Sequence, residues 1–117
     1  MQYLLMLYVD EAGFGKLSKA QQEEGVAAYV AYTEALTKSK ALVGANRLAS
    51  SRSATTVRMA SGKAQVLDGP YADSKEKLGG YYLIDVPDLD AAISWAARCP
   101  AAAHGIVEVR PIFGQAP

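Results

Sequence analysis

The side chains best suited to chemistry cluster in one run, Asp68-Gly69-Pro70-Tyr71-Ala72-Asp73-Ser74-Lys75-Glu76-Lys77-Leu78-Gly79-Gly80. Asp68 closes a strand-like stretch just ahead of a Gly-Pro turn. Its carboxylate is placed either to act as a general base or acceptor in a cleft, or to bond its own backbone in an Asx-type turn. Tyr71 offers a phenol, to a ligand or to packing. Asp73-x-x-Glu76 has the spacing of a capping box for one helical turn ending at Gly79, so Asp73 is a cap or a catalytic carboxylate. Lys75 is a cation for an anionic ligand or a solvated side chain. The candidate catalytic residues are therefore Asp68, Tyr71 and Asp73. Lys75, with Tyr29 and Arg47 from the opposite wall, forms the candidate ligand-binding set. Arginine's planar fork suits a carboxylate ligand. The glycine spacing and the missing Lys-Ser/Thr pair exclude a phosphate loop.

Other chemistries find little support. His104 is the single histidine and Cys99 the single cysteine. No Cys/His/carboxylate cluster has metal-ligand spacing, so no metal and no cofactor are expected. Cys99 falls at a helix C-terminus, where the dipole disfavours a thiolate. No Gly-x-Ser-x-Gly nucleophile motif occurs.

The elements that must position these residues follow from periodicity. Residues 3–9 read as a strand, apolar on both faces. Residues 12–17 read as a loop carrying Phe14. Ser18-x-x-Gln21 opens a helix over about 19–40, with a core stripe of Val26, Tyr29, Val30, Thr33, Leu36 and Thr37. Residues 41–48 are a weaker extended segment, and 49–53 a small polar loop. Strands over 54–60 and 64–68 join through a Ser61-Gly62 turn, pairing Val57 with Val66 and Met59 with Ala64. Residues 80–86 form a second strand apolar on both faces. Asp88 caps a helix with a stripe of Leu89, Ala92, Ile93 and Ala96, stopped by Pro100. Residues 101–105 read as a linker, 106–112 as a last strand, and 114–117 as a frayed tail.

This order is α+β: a ferredoxin-like βαββαβ with an elaborated hairpin. Right-handed crossovers place both helices on one sheet face. The opposite face still carries large apolar side chains from the two central strands, each worth roughly 1.5–3 kcal/mol when buried. A second copy of the chain is the simplest cover, so a homodimer through facing sheets is expected.

Size and composition set the remaining bounds. A chain of 117 residues suits one domain, spanning 1–117. Twelve basic residues balance twelve acidic ones, so no long-range field attracts nucleic acid or anionic lipid. No apolar run is long enough to span a bilayer. One cysteine without an intrachain partner suits a cytoplasmic setting.

The chain resembles the YCII-related family, in the branch marked by a DGPF-type motif. The likeness rests on Asp68 to Glu76, Leu78 to Val86, Trp95 to Pro100 and Val107 to Pro111, and takes in Tyr3 to Glu11. It implies a ferredoxin-like domain that dimerises as an α+β barrel. Some relatives are associated with a His–Asp pair, one branch removes chloride from a hydroxylated aromatic, and others are linked to extracytoplasmic-function sigma factors. Tyr71 stands where the motif usually has phenylalanine. The family histidine is expected on the first helix, around the position of Tyr29, so a His–Asp mechanism does not carry over. Two functions remain in play. One is a cofactor-independent enzyme acting on a small polar or aromatic acid, by proton abstraction or elimination, in a pocket between sheet and helices near Asp68. The other is a non-catalytic binding or regulatory dimer.

Overall fold

Alternation along Gln2–Val9 (β1) buries Tyr3, Leu5 and Leu7 and leaves Leu4, Met6 and Tyr8 half-covered. Lys77–Asp85 (β5) behaves likewise, burying Tyr82 and Ile84 while Tyr81 and Leu83 stay half-covered. These two strands pair at the centre of the sheet in the computed structural model, which describes residues 1–114. Leu42–Arg47 (β2) lies outside β5, and Ile106–Pro111 (β6) outside β1. The order β2-β5-β1-β6, antiparallel throughout, is the ferredoxin-like arrangement. Residues 115–117, within the tail expected to fray, lie outside the described region.

Lys19–Lys38 (the helix α2) and Leu89–Arg98 (α3) cover one face of the sheet. α2 follows Glu11–Gly15 (α1), a short helix where a loop was expected over 12–17. Ser18 and Gln21 form the expected reciprocal capping box. The buried stripe of α2 differs from the expected one. Leu36 is buried and Tyr29 and Thr33 are half-buried as expected, but Val26 and Val30 are about half exposed and Tyr32 is buried instead. The cause is a cluster of aromatic rings. Tyr32 meets Tyr82 edge-on at 5.1 Å and Trp95 at 6.1 Å, and its hydroxyl donates to the Trp95 carbonyl at 2.7 Å. The Tyr82 and Thr33 hydroxyls share a further bond of 2.8 Å. These partners turn α2 toward its tyrosines and leave the more apolar Val26 and Val30 outside. In α3 the small Ala92 and Ala96 are buried while Leu89 and Ile93 stay half exposed. Alanines let the helix approach the sheet closely.

Ala101–His104 (α4) is a short helix where a linker was expected. It ends at Gly105, where a Cβ would collide with the Tyr8 carbonyl oxygen. Only glycine permits this approach of chain and strand.

Thr55–Ala60 (β3) and Lys63–Asp68 (β4) form a separate two-stranded arm between β2 and β5. Its register matches expectation: Val57 opposes Val66, Met59 opposes Ala64, and Arg58 opposes Gln65. Ser61 and Gly62 both take positive φ, as a type I′ hairpin turn requires. No helical turn forms over Asp73–Glu76. Ser74 instead donates its hydroxyl to the Glu76 carbonyl, a local side-chain bond that competes with helix formation. β5 also begins at Lys77, leaving no room for a helix reaching Gly79.

Candidate ligand cleft

A bulge shapes the end of the central strand pair. Leu7 pairs with Gly80 and Tyr8 with Leu78, so Gly79 is the extra residue of β5. The Gly79 carbonyl accepts from the Leu48 amide at 2.9 Å, which carries the chain past the end of β2. There Ser50 opens a single 3₁₀ turn, Ser51–Ser53. The Ser53 hydroxyl donates to the Ser50 carbonyl at 2.6 Å. The Glu11 carboxylate, at the start of α1, accepts from the backbone N–H and the hydroxyl of Ser51. At the root of the arm, the Gly69 amide donates to the Ala54 carbonyl at 2.7 Å, and the Thr56 hydroxyl to the Gly69 carbonyl at 2.8 Å.

These ties enclose a cleft of about 470 Å³. Tyr8, Leu48 and Leu78 give it an apolar floor, while Ser50, Ser51, Ser53 and Ser74 supply hydroxyls. Pro70 and Tyr71 form its outer wall, and Lys77, paired with Val9 at the start of β5, borders its edge. Among the described residues Lys77 makes no ion pair. Tyr8 and Leu78 belong to the sheet face away from the helices. The cleft therefore opens on that face, and not between sheet and helices as expected. A second hollow, of about 450 Å³, runs beside Phe14 and Val26. Its Gln22 amide is occupied by the Phe14 and Leu17 carbonyls, and its Lys19 and Glu23 carry opposite charges.

The sequence candidates divide. Tyr71 lines the cleft, with 80% of its surface exposed. Asp68 sits opposite Thr55 at the exposed end of β4, next to the cleft wall but not lining it. Asp73 and Lys75 are exposed in the following loop and do not line it either. Tyr29 and Arg47 lie on the helix side of the sheet. The Arg47 guanidinium stands 5.9 Å over the Phe14 ring, and Tyr29 packs half-buried against the core. Burial, then the nearby Cys99 and Tyr82, pushes the Tyr29 phenol up to about 12. The sheet itself separates these two residues from Tyr71.

Sequence reasoning missed Glu11, Lys77 and the serines at 50, 51 and 53. The small polar run over 49–53 was the available signal, but nothing local ties it to a segment twenty residues later. Cys99 is buried, and burial pushes its thiol up from the ordinary range. That argues against a nucleophile more strongly than its helix-terminal position. His104 is exposed at the end of α4. Among the described residues, no group of three His, Cys, Asp or Glu is gathered to hold a metal. Among the described residues, no helix is long and apolar enough to cross a membrane.

The family model described as the YCII-related domain matches residues 1–115. The chain belongs to the YCII-related family. An uncharacterized protein of Rhizobium meliloti (strain 1021) is 34% identical over 114 residues, covering 96% of this chain and 92% of that relative. Among solved structures, 5-chloro-2-hydroxyhydroquinone dehydrochlorinase from Burkholderia phenoliruptrix AC1100, in complex with 2,5-dihydroxybenzoquinone, aligns with a TM-score of 0.56. The alignment covers 98% of this chain and 96% of that one at 15% identity. At that identity the likeness shows a shared fold alone. Within the YCII-related fold, the cleft beside the Asp68–Gly80 segment is the place where polar groups converge.

Proposed function

We propose that this YCII-related protein is a homodimer that binds a small aromatic or polar acid in the cleft between the sheet face and the root of the β3–β4 arm. The observation that carries the reading is the lining itself. An apolar floor of Tyr8, Leu48 and Leu78 suits a ring. The hydroxyl oxygens of Ser51, Ser53 and Ser74, whose protons are given to Glu11, Ser50 and Glu76, can accept from ring hydroxyls. Lys77 at the cleft edge would reach round the strand end to a carboxylate or phenolate. Dimerisation is argued from the face on which the cleft opens. Leu4, Met6, Tyr81 and Leu83 remain half-covered there, and burying each contributes roughly 1.5–3 kcal/mol. The single, buried Cys99 is compatible with a reducing cytoplasm.

Binding without chemistry is the reading favoured by geometry, because no charged side chain of the described residues is buried. A general base tuned by burial is therefore not assembled within one chain. A regulatory dimer, of the kind linked to extracytoplasmic-function sigma factors, fits this reading. Elimination from a hydroxylated aromatic is the second reading. It draws on the dehydrochlorinase activity of the structural neighbour and on the exposed carboxylate of Asp68 near Tyr71.

A thermal-shift screen of hydroxybenzoates and hydroxyquinones on wild type, Lys77→Ala and Asp68→Asn tests both. Binding in the cleft raises the wild-type melting temperature and loses most of that shift in Lys77→Ala. Equal shifts in wild type and Lys77→Ala overturn the placement. Turnover of a probe that disappears in Asp68→Asn favours the enzymatic reading.

A further inference from the structure

The β3–β4 arm has an apolar face with nothing on it. Val57, Met59 and Val66 are each about 60% exposed and, with Ala64, share one side of the hairpin. The other side carries Arg58, Gln65 and Lys63, with Leu67 exposed on it at the root of the arm, opposite Thr56. No residue of either strand is buried. A two-stranded hairpin on its own is marginal in water, so an arm of this composition needs a surface to lie on.

The chain's proportions indicate which surface. The described residues extend 49 × 46 × 17 Å with a radius of gyration of 16.2 Å. A compact chain of this length has a radius of about 13–14 Å. The molecule is thus a slab, and the arm lies within its thickness as a lateral extension. Two slabs laid face to face approach the proportions of a compact body. The cleft is continuous with both features: Tyr8 and Leu78 come from the open sheet face, and Ala54, Pro70 and Tyr71 from the root of the arm. A body that covers the sheet face and reaches the arm must cross the cleft.

We infer that the Val57–Met59–Val66 face of the arm seats on a second copy of the chain, and that this copy roofs the cleft beside Tyr71. The inference rests on the dimer proposed above and deepens it. The balanced charge of the chain leaves two copies without net repulsion. Asp68 shares the apolar side of the arm, opposite Thr55, so the same contact brings its carboxylate into the assembled site.

The test pairs sedimentation with site-directed cross-linking. Wild type and Val57→Asp/Val66→Asp are compared by analytical ultracentrifugation, with far-UV circular dichroism as the folding control. Separately, Met59→Cys and Tyr71→Cys carry a benzophenone maleimide, the buried Cys99 being left in place. The expected result is a wild-type dimer, dimer affinity weakened at least 100-fold in the arm variant, and intermolecular cross-links from both labelled positions. An arm variant that dimerises with wild-type affinity, or labels that give no dimer band, overturns the seating of the arm while the sheet-face dimer stands. A wild-type monomer overturns both. If the charged arm fails to fold, the cross-links decide alone. A cross-link from position 59 without one from position 71 overturns the roofing.

Discussion

The Glu11 carboxylate receives two hydrogen bonds from Ser51, one from the backbone N–H at 2.9 Å and one from the hydroxyl at 2.8 Å. The pair is partly buried and links the start of α1 to a turn forty residues later. Ser51 is also a wall of the cleft. The bond therefore joins fold and site.

Replacing Glu11 with alanine removes both acceptors and leaves the Ser51 amide without its partner. Hydrogen bonds to a charged group are worth about 1.5–3 kcal/mol. Urea denaturation of Glu11→Ala is expected to show a loss of about that size. Ligand-induced thermal shifts should shrink as well, because the serine wall loosens.

The aromatic core gives a pH dependence with a defined sign. Burial raises the Tyr29 phenol from 10.0 to about 12 and moves Tyr32, Tyr82 and Cys99 in the same direction. The folded state thus holds protons that the unfolded chain releases first. For Tyr29, stability is fully present below pH 10 and falls as pH rises through 12. Calorimetric melting temperatures should drop across that window, and less steeply in Tyr29→Phe.

Tyr32 binds α2 to α3 through the Trp95 carbonyl. Tyr32→Phe keeps the ring contacts and loses only the hydroxyl. The expected cost is about 0.5–1.5 kcal/mol, read as a lower denaturant midpoint with an unchanged slope.

Gly105 permits the chain to pass against the Tyr8 carbonyl. Alanine there must displace backbone, at a cost of about 1–3 kcal/mol by the scale of overpacked sites. Tyr8 also floors the cleft, so Gly105→Ala should weaken ligand binding along with stability. A variant as stable as wild type contradicts this packing.

Much of the fold was legible in the sequence because its signals are local. Alternation marked both central strands, Ser18 and Asp88 marked helix starts, and Ser61-Gly62 fixed the register of the arm. Two kinds of feature were not legible. The buried stripe of α2 depends on Tyr32 meeting Tyr82 and Trp95, residues fifty and more positions away. The helical turn expected over Asp73–Glu76 lost to a side-chain bond from Ser74 and to the early start of β5. The site was half visible. The Asp68–Gly80 segment does border the cleft, through Tyr71, Ser74 and Lys77. The opposing wall comes from Ser50, Ser51 and Ser53, whose polarity alone reads as an ordinary loop. Tyr29 and Arg47 were placed on the wrong side because a linear pattern does not say which sheet face a pocket uses.

The central claim is that an acid binds in this cleft against Lys77. Isothermal titration of 2,5-dihydroxybenzoate into wild type and Lys77→Ala tests it most directly. One site per chain, with affinity reduced at least tenfold in the variant, is the result expected. Equal affinity in the two proteins, or no binding to wild type at millimolar probe, contradicts it.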